Sequence, residues 1–359
     1  MEPTRERVLE ALEQVIDPEL RRPVTELDMV RDVEIRDGVV SLTVVLTVAG
    51  CPLRNSFQEQ VARVLADVPG VAGVELSFAV MTPEERQALT AKLRGGTSQR
   101  DDTAIRLPES CRVIAVASGK GGVGKSSLAA NLAVAFSQLG HQVGVLDADV
   151  YGHSIPHILG IHQKPIAVDR MIVPPVKDDL KLMSIGFFLE RNEPVMWRGP
   201  MLHRALEQFL TDVHWGELDV LVVDMPPGTG DVSISLGQLL PRAEVVVVTT
   251  PQKLAQDVAA RAASMARKTN MRLLGVVENM SGDVFGAGGG ETLAASLGVP
   301  LLGTVPLDPL LREQGDLGAP IVGAQPEAAS ARAIVSIAEA IEALRREPSG
   351  TVRSLPLVG

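Results

Sequence analysis

One loop constrains this chain more than any other segment. The run Ser118-Gly119-Lys120-Gly121-Gly122-Val123-Gly124-Lys125-Ser126-Ser127 follows an apolar, strand-like stretch, Val113 to Ala117, and opens a helix-like one, Leu128 to Phe136. Strand, glycine-rich loop, helix is the order in which a backbone can grip a polyphosphate. Glycines let N–H groups converge on the anion without Cβ clashes, and the helix adds its own unpaired N–H groups and positive dipole end. Lys125 supplies a charge for the outer phosphates, and the Ser126 hydroxyl is a ligand for Mg²⁺. Gly119, Gly121 and Gly124 also fit the G-x-G-x-x-G dinucleotide fingerprint, with Asp147 after the second strand (Val143 to Leu146) in the place of a ribose-binding acid. Two features favour the polyphosphate. Lys125-Ser126 directly follows the last glycine, and Asp219 to Asp224 reads as a buried strand ending in a carboxylate, as Mg²⁺–nucleotide chemistry needs.

A chain of 359 residues exceeds a typical single domain, so two domains are expected. Aromatic residues make up only 3%, so Val, Leu, Ala and Ile must fill the core, as in a buried parallel sheet flanked by helices. The net charge of −10 argues against non-specific binding to nucleic acid. Thr4 to Ile16 is charged and amphipathic rather than a signal sequence, and no apolar stretch is long enough to span a bilayer. Two cysteines point to a reducing compartment, and a cytoplasmic location is expected.

Residues 1–94 read as a small α/β unit. Helical spacing runs Val8, Leu9, Leu12, Val15, Ile16 and ends at Asp17-Pro18. Two strands, Val30 to Ile35 and Val39 to Val48, are joined by Arg36-Asp37-Gly38, a hairpin signal. A helix from about Phe57 to Ala66, a Pro69-Gly70 turn and a strand from Val74 to Val80 follow. Thr82-Pro83 then caps a last helix toward Leu93. Residues 95–110 read as a polar linker, and residues 111–346 alternate strands and helices, the pattern of a parallel sheet. Residues 347–359 read as a tail.

Further segments add to the loop. Asp147-Ala148-Asp149 places two carboxylates at i and i+2 beside it, suited to holding Mg²⁺ through water and orienting an attacking water; a solvated turn is the alternative. Asp224 to Asp231, with two prolines and two glycines, is a candidate γ-phosphate switch. Asn279 and the segment Val305 to Asp308 end two later strands. Ligands in open α/β sheets sit at such ends, which places Asn279 near a base, its amide suited to an adenine edge; a turn residue is the alternative.

The loop's additional lysine, Lys120, makes the chain resemble the deviant Walker A ATPases of the MinD/ParA/nitrogenase iron protein group. Within that group it is most similar to the Mrp (ApbC-like) iron–sulfur cluster carriers. The likeness lies in Asp147-Ala148-Asp149, Tyr151-Gly152, Ser154-Ile155-Pro156, Trp197 to Met201, Asp224 to Asp231, Glu278 to Ser281 and Gly288 to Gly290. Ile16 to Glu19, Leu46-Thr47 and Cys51-Pro52 resemble the small cluster-assembly-type domain often fused to such carriers. The resemblance implies a P-loop NTPase fold with a mainly parallel sheet, working as a homodimer around two ATP molecules. It implies that Lys120 reaches the partner's phosphates, that Lys125 holds the β/γ-phosphates and that Ser126 ligates Mg²⁺. It further implies that Asp149 positions the water, that Asp147 and Asp224 act through the metal's water shell, and that Asn279 with Pro306 to Asp308 frames the adenine. The remaining loop residues, Gly119, Gly121, Gly122, Val123, Gly124 and Ser127, complete the ATP site. Iron–sulfur assembly proteins and recipient apoproteins are the implied partners.

One hallmark is missing. Many such carriers place Cys-x-x-Cys between the Glu-Asn-Met-Ser segment and the glycine run, where this chain has Gly282-Asp283-Val284-Phe285-Gly286-Ala287. Clusters need thiolates. Cys111 precedes the loop's strand and reads as a core residue, which leaves Cys51 as the cluster candidate, with a small turn residue as the alternative. A dimer would supply two Cys51 thiols, short of four unless exogenous thiols or a partner complete the shell. His153 and His157 lie four apart without an evident third ligand. Two other functions stay open: a positioning or partitioning switch like MinD or ParA, and a nucleotide-gated scaffold that carries no cluster. The former would show a basic amphipathic membrane helix or salt-sensitive DNA binding. The final residues, Ser354 to Gly359, are short and contain proline, which disfavours membrane docking.

Overall fold

The computed structural model describes residues 3–48, 53–93, 105, 107–150, 152–188 and 199–344. In chain order the elements begin with α1 (Arg5–Leu12), β1 (Val30–Arg36), β2 (Val39–Leu46), α2 (Arg54–Ala66), β3 (Gly73–Val80) and α3 (Pro83–Leu93). Next come β4 (Arg112–Ser118), α4 (Lys125–Gln138), β5 (Val143–Asp147) and α5 (Ile155–Ile158). Two short hairpins follow, β6 (Ile166–Val168) with β7 (Met171–Val173) and β8 (Val176–Lys177) with β9 (Leu180–Ser184). The chain continues through α6 (Gly199–Thr211), β10 (Val220–Asp224), α7 (Asp231–Leu239), β11 (Glu244–Thr249), α8 (Lys253–Lys268) and β12 (Arg272–Ser281). It closes with α9 (Gly289–Leu297), β13 (Leu301–Pro306), α10 (Pro309–Asp316), α11 (Ile321–Ala324) and α12 (Ala329–Ala343). These elements form two compact units. The first comprises Met1–Glu109, Gln163–Met183 and Arg204–Leu218; the second comprises Ser110–His162, Ser184–His203 and Asp219–Gly359.

In the first unit β1, β2 and β3 form a sheet in that order. Asp37 and Gly38 both take positive φ (50° and 78°), the backbone that a tight antiparallel hairpin between β1 and β2 requires. β2 and β3 run parallel, so α2 is their crossover. Thr82 and Glu85 cap α3 reciprocally: each side chain accepts from the other's backbone N–H, at 2.8 and 3.3 Å. The first helix departs from the sequence expectation by ending at Leu12, although Val15 is fully buried. The Asp17 carboxylate accepts from the N–H groups of Glu19 and Leu20, and the Gln60 amide holds both backbone groups of Ile16. Local side-chain bonds thus replace a further helical turn. The unit's core, built on Val8, Leu12, Phe57, Val61 and the inner faces of the strands, also takes in Val168, Met171 and Val173 from the β6–β7 hairpin. The Thr90 hydroxyl donates to the Val168 carbonyl at 3.2 Å.

The second unit contains six parallel strands in the order β13-β12-β11-β4-β10-β5. Every residue of β5, β10 and β11 is buried, which explains their near-continuous valine and leucine runs. The alanine-rich helices expected around Ala259 to Ala266 and Ile334 to Leu344 are α8 and α12, whose apolar faces are buried. Parallel pairing brings the carboxyl ends of β4, β10, β5 and β12 to one edge, and with them Ser118, Asp224, Asp147 and Asn279. Among the described residues no helix is long and apolar enough to cross a membrane.

Candidate nucleotide site

The loop after β4 is held from both ends. At its start Gly119 packs so tightly on α8 that a Cβ there would lie 2.2 Å from the backbone carbon of Val258. The Ser118 carbonyl accepts from the Gly228 N–H at 2.8 Å, which ties the loop to the Asp224 to Asp231 segment. Gly122 and Gly124 adopt φ of 80° and 79°, a conformation that favours glycine. Lys120, Gly121 and Gly122 are exposed, whereas the Val123 side chain is buried and anchors the turn. None of the N–H groups of Gly121 to Gly124 has a partner among the described residues, and they lead directly into the first turn of α4. Such an arrangement suits a polyphosphate.

Beside it the charges converge. Lys125 Nζ lies 2.6 Å from Asp224 Oδ1 and 3.5 Å from Asp149 Oδ2, while the Ser126 hydroxyl donates to Asp224 Oδ2 at 2.6 Å. Asp147 Oδ2 accepts from the Ser184 hydroxyl at 2.9 Å, and Asp147 Oδ1 lies 3.3 Å from the Asp149 N–H. Asp149 in turn accepts from the Gly152 N–H at 3.0 Å. Burial, then the neighbouring charge of Asp224, pushes the Asp147 carboxyl up to about 8. Burial also raises Asp224, against the pull of Lys125. Three buried carboxyl groups therefore crowd one ammonium, two of them within ion-pair distance of it, and the raised Asp147 and Asp224 show that their full ionisation is opposed until a further cation joins them. A hydroxyl and carboxylates are hard oxygen donors, and a local surplus of negative charge is what a Mg²⁺ ion relieves. No three His, Cys, Asp or Glu side chains among the described residues are arranged to ligate an ion by themselves. Such an ion would draw its remaining ligands from phosphate and water, as Mg²⁺ does.

The other expected residues divide into those near the loop and those elsewhere. Asn279 reaches the loop directly, its Nδ2 donating to the Val123 carbonyl at 2.8 Å. Neighbouring Glu278 accepts from the N–H groups of Gly288 and Gly290 at the start of α9; the glycine run there is explained by the φ of 87° at Gly288 and by Cβ atoms that would lie 2.3 Å from the Pro251 oxygen at Gly289 and 2.6 Å from Glu278 Cβ at Gly290. Pro306 ends β13, and Asp308 caps α10 through the Leu310 N–H while accepting from the Ser330 hydroxyl at 2.6 Å. Ser127 lies in the first turn of α4, its carbonyl accepting from Asn131. His153 packs its ring on Gly186, His157 lies in the single turn of α5, and no third metal-binding side chain joins them among the described residues. Burial, with the charge of Asp219, pushes the Cys111 thiol up to about 12, so it is no ready thiolate. Cys51, Tyr151, Trp197 and Arg198 lie outside the described residues. Sequence reasoning missed Ser184, because a lone serine at the end of an insertion strand carries no local signal. It also missed the packing of Gly119 on α8, which two segments far apart in the chain create.

Residues 110–342 match the family described as NUBPL iron-transfer P-loop NTPase. The chain belongs to that family. Residues 5–76 additionally match a family described as iron-sulfur cluster assembly protein. The resemblance to iron–sulfur carrier ATPases of the MinD/ParA group is thereby borne out, and so is the P-loop fold with its mainly parallel sheet. This NUBPL-type chain is 50% identical over 356 residues, 95% of its own length and 93% of the relative's, to an iron-sulfur cluster carrier protein of Mycobacterium bovis. It is 43% identical over 354 residues (94% and 97%) to an iron-sulfur cluster carrier protein of a Synechocystis species. Among solved structures it resembles a nucleotide-binding protein of Archaeoglobus fulgidus in complex with ADP, with TM-score 0.53, 36% identity and coverage of 62% of this chain and 91% of that one. The Pyrococcus furiosus cell division ATPase MinD shares the fold, with TM-score 0.52, 24% identity and coverage of 65% and 99%.

Proposed function

We propose that this P-loop NTPase is a Mg²⁺-dependent ATPase that binds iron–sulfur clusters and transfers them, or assists their assembly onto apoproteins. The observation that carries the ATPase half is the Lys125–Ser126–Asp224 constellation beside a loop with open N–H groups. In this reading the loop from Gly119 to Ser127 cradles the triphosphate, and Lys125 leaves its carboxylates to follow the β/γ-phosphates. Ser126 ligates Mg²⁺, and Asp147 and Asp224 hold its water shell. When bound, the metal shields the phosphate charge that repels an attacking water. Asp149, steadied by the Gly152 N–H, orients that water. Pro306 and Asp308 border the base.

Lys120 is the residue we assign to a second subunit's phosphates. It is exposed on the loop and has no carboxylate within ion-pair distance among the described residues, whereas buried Lys125 has two, Asp149 and Asp224. An added cation at the transferring phosphoryl group, supplied across a homodimer, would act as an arginine finger does. The cargo half rests on the names of the relatives and on the assembly-type match at residues 5–76. We assign residues 1–94 to that assembly-type domain, 95–110 to a linker, 111–346 to the ATPase and 347–359 to a tail, in a cytoplasmic protein that serves assembly partners and recipient apoproteins.

A second reading, a nucleotide-gated scaffold without a cluster of its own, draws support from the cysteine-free turn Gly282 to Ala287 and the inert thiol of Cys111. Anaerobic reconstitution with iron and sulfide, on wild type and Cys51→Ser, separates the two. The carrier reading expects cluster uptake that Cys51→Ser weakens. Lack of uptake by either protein leaves the scaffold. For the ATPase, Lys120→Ala is expected to abolish hydrolysis while leaving ATP binding measurable, and wild-type turnover in that variant refutes the trans role.

A further inference from the structure

Lys181, on β9 in the first unit, is a buried cation without an adjacent counter-charge among the described residues. Its side chain donates from Nζ to the Trp215 carbonyl at 2.8 Å, which takes one proton of the ammonium and leaves the others unspent. The loop that supplies this carbonyl is firmly held. The His214 N–H donates to the Ile172 carbonyl at 2.8 Å, and the buried Trp215 ring donates through Nε1 to the Phe209 carbonyl at 2.9 Å. Next in the chain, Gly216 takes φ of 62°, and its missing side chain leaves room between two basic groups. A Cβ there would lie 3.0 Å from Lys181 Nζ and 3.7 Å from His214 Nε2. The His214 ring has no hydrogen-bond partner among the described residues. Arg21 and Arg22 join the cluster from the loop after α1. Burial first, then Arg21, lowers Lys181 to about 8 against the pull of Glu217, so it keeps its proton at pH 7. Burial first, then Lys181 and Arg22, lowers His214 to about 4.

We propose that Lys181 Nζ and His214 Nε2 together bind an oxygen of a small phosphate-type oxyanion over Gly216. Donors with free capacity converge there and acceptors do not. A buried ammonium that faces a single neutral carbonyl keeps much of its desolvation cost, which an anion offsets. Neutral imidazole still donates from one of its nitrogens, so the site works without a protonated histidine. Half-exposed His214 and Gly216 give the ion its entry from solvent. The two arginines add attraction from the rim, reduced by their own exposed carboxylates, Asp179 at 3.5 Å from Arg21 and Glu26 at 2.9 Å from Arg22. Arg21 and Arg22 come from the segment that matches the assembly family, whereas Lys181 and His214 come from two later segments of the same unit. Residues 1–94 alone would therefore lack the site, and the nucleotide loop contributes nothing to it, since it belongs to the second unit.

The test follows the imidazole Cε1–H signal of His214 by NMR in the full chain at constant pH 7, assigned as the resonance lost in His214→Gln. Sodium phosphate is titrated against sodium chloride of matched ionic strength. The expected result is a saturable shift with phosphate alone, half complete below about 10 mM. Lys181→Met, shown to fold by a thermal melt, is expected to weaken binding about tenfold or more, and Lys181→Gln, which keeps a donor for the Trp215 carbonyl, replaces it if it does not fold. Lys125→Ala, which alters the nucleotide loop, is expected to leave the His214 response unchanged. Glycerol phosphate, run beside the free ion, selects a phosphate monoester if it binds more tightly and inorganic phosphate if it binds more weakly. A shift that never saturates, that chloride reproduces, that survives removal of the Lys181 charge in full or that disappears in Lys125→Ala overturns the proposal. The wild-type comparison of phosphate with chloride decides even where no Lys181 variant folds.

Discussion

Gly119 and Gly121 are two residues apart in the same loop, yet alanine is expected to destabilise the protein at Gly119 and to leave it almost unchanged at Gly121. A Cβ on Gly119 would lie 2.2 Å from the Val258 carbon, 2.4 Å from the Val258 oxygen and 2.4 Å from the Ala259 nitrogen, all of them backbone atoms that no rotamer change can move aside. Ordinary carbon–carbon contact begins near 3.5 Å, so α8 or the loop must retreat by at least about 1.3 Å. Overpacking of this kind costs about 1–3 kcal/mol, or roughly 2–4 °C of melting temperature per kcal/mol in a unit of this size. A loop displaced by about 1 Å also loses about a hundredfold in a reaction that depends on its alignment. At Gly121 nothing lies within 4 Å of the added atom. Gly121→Ala is therefore expected to melt within about 1–2 °C of wild type, as an unobstructed surface change does. Differential scanning calorimetry of the two variants, with ATP turnover on Gly119→Ala, checks this. A Gly119→Ala protein that melts and turns over like the wild type refutes the packing argument.

Two further outcomes follow from buried titrating groups. His214 is lowered to about 4 by burial first, then by the charges of Lys181 and Arg22, so it stays neutral in the fold at pH values where the unfolded chain already binds a proton. The stability it contributes is present above about pH 6.5 and is lost as pH falls toward 4, on the order of 2 kcal/mol after allowing for partial exposure. Urea midpoints at pH 7 and pH 4.5 are expected to drop further for wild type than for His214→Gln, and equal drops would exclude the effect. Cys111, pushed up to about 12, holds about a thousandfold less thiolate at pH 8 than a thiol at its ordinary value of 9.0. In a Cys51→Ser background a disulfide reagent is thus expected to leave the native thiol unmodified over minutes and to react at once in urea, and prompt native labelling would contradict this.

Local patterns were legible in the sequence wherever one short segment carried the whole cause. The loop between β4 and α4 was readable because glycines, Lys125 and Ser126 lie within a few residues of one another, and the β1–β2 turn because Asp-Gly is one of the few dipeptides that tolerate two positive φ values. The end of α1 was not, because Val15 keeps the helical spacing of buried residues while sitting in a loop shaped by Asp17 and by Gln60 from another helix. The acidic members of the site were visible at strand ends, but their mutual arrangement around one lysine was not. Ser184 and the clamp of Asn279 on Val123 were hidden for the same reason: their partners lie 37 and 156 residues away.

The hairpin β6–β7 carries a consequence for how this protein can be taken apart. Its Val168, Met171 and Val173 belong to the same oily interior as the N-terminal helices, so the chain passes between its two bodies at 109/110, 162/163, 183/184, 203/204 and 218/219 rather than once. Residues 1–94 are consequently not a bead that can be snipped off and grafted elsewhere. Excision would strip three apolar side chains from their seat and leave a greasy scar on each piece, and recombination between relatives has to exchange the hairpin together with the leading sheet or not at all.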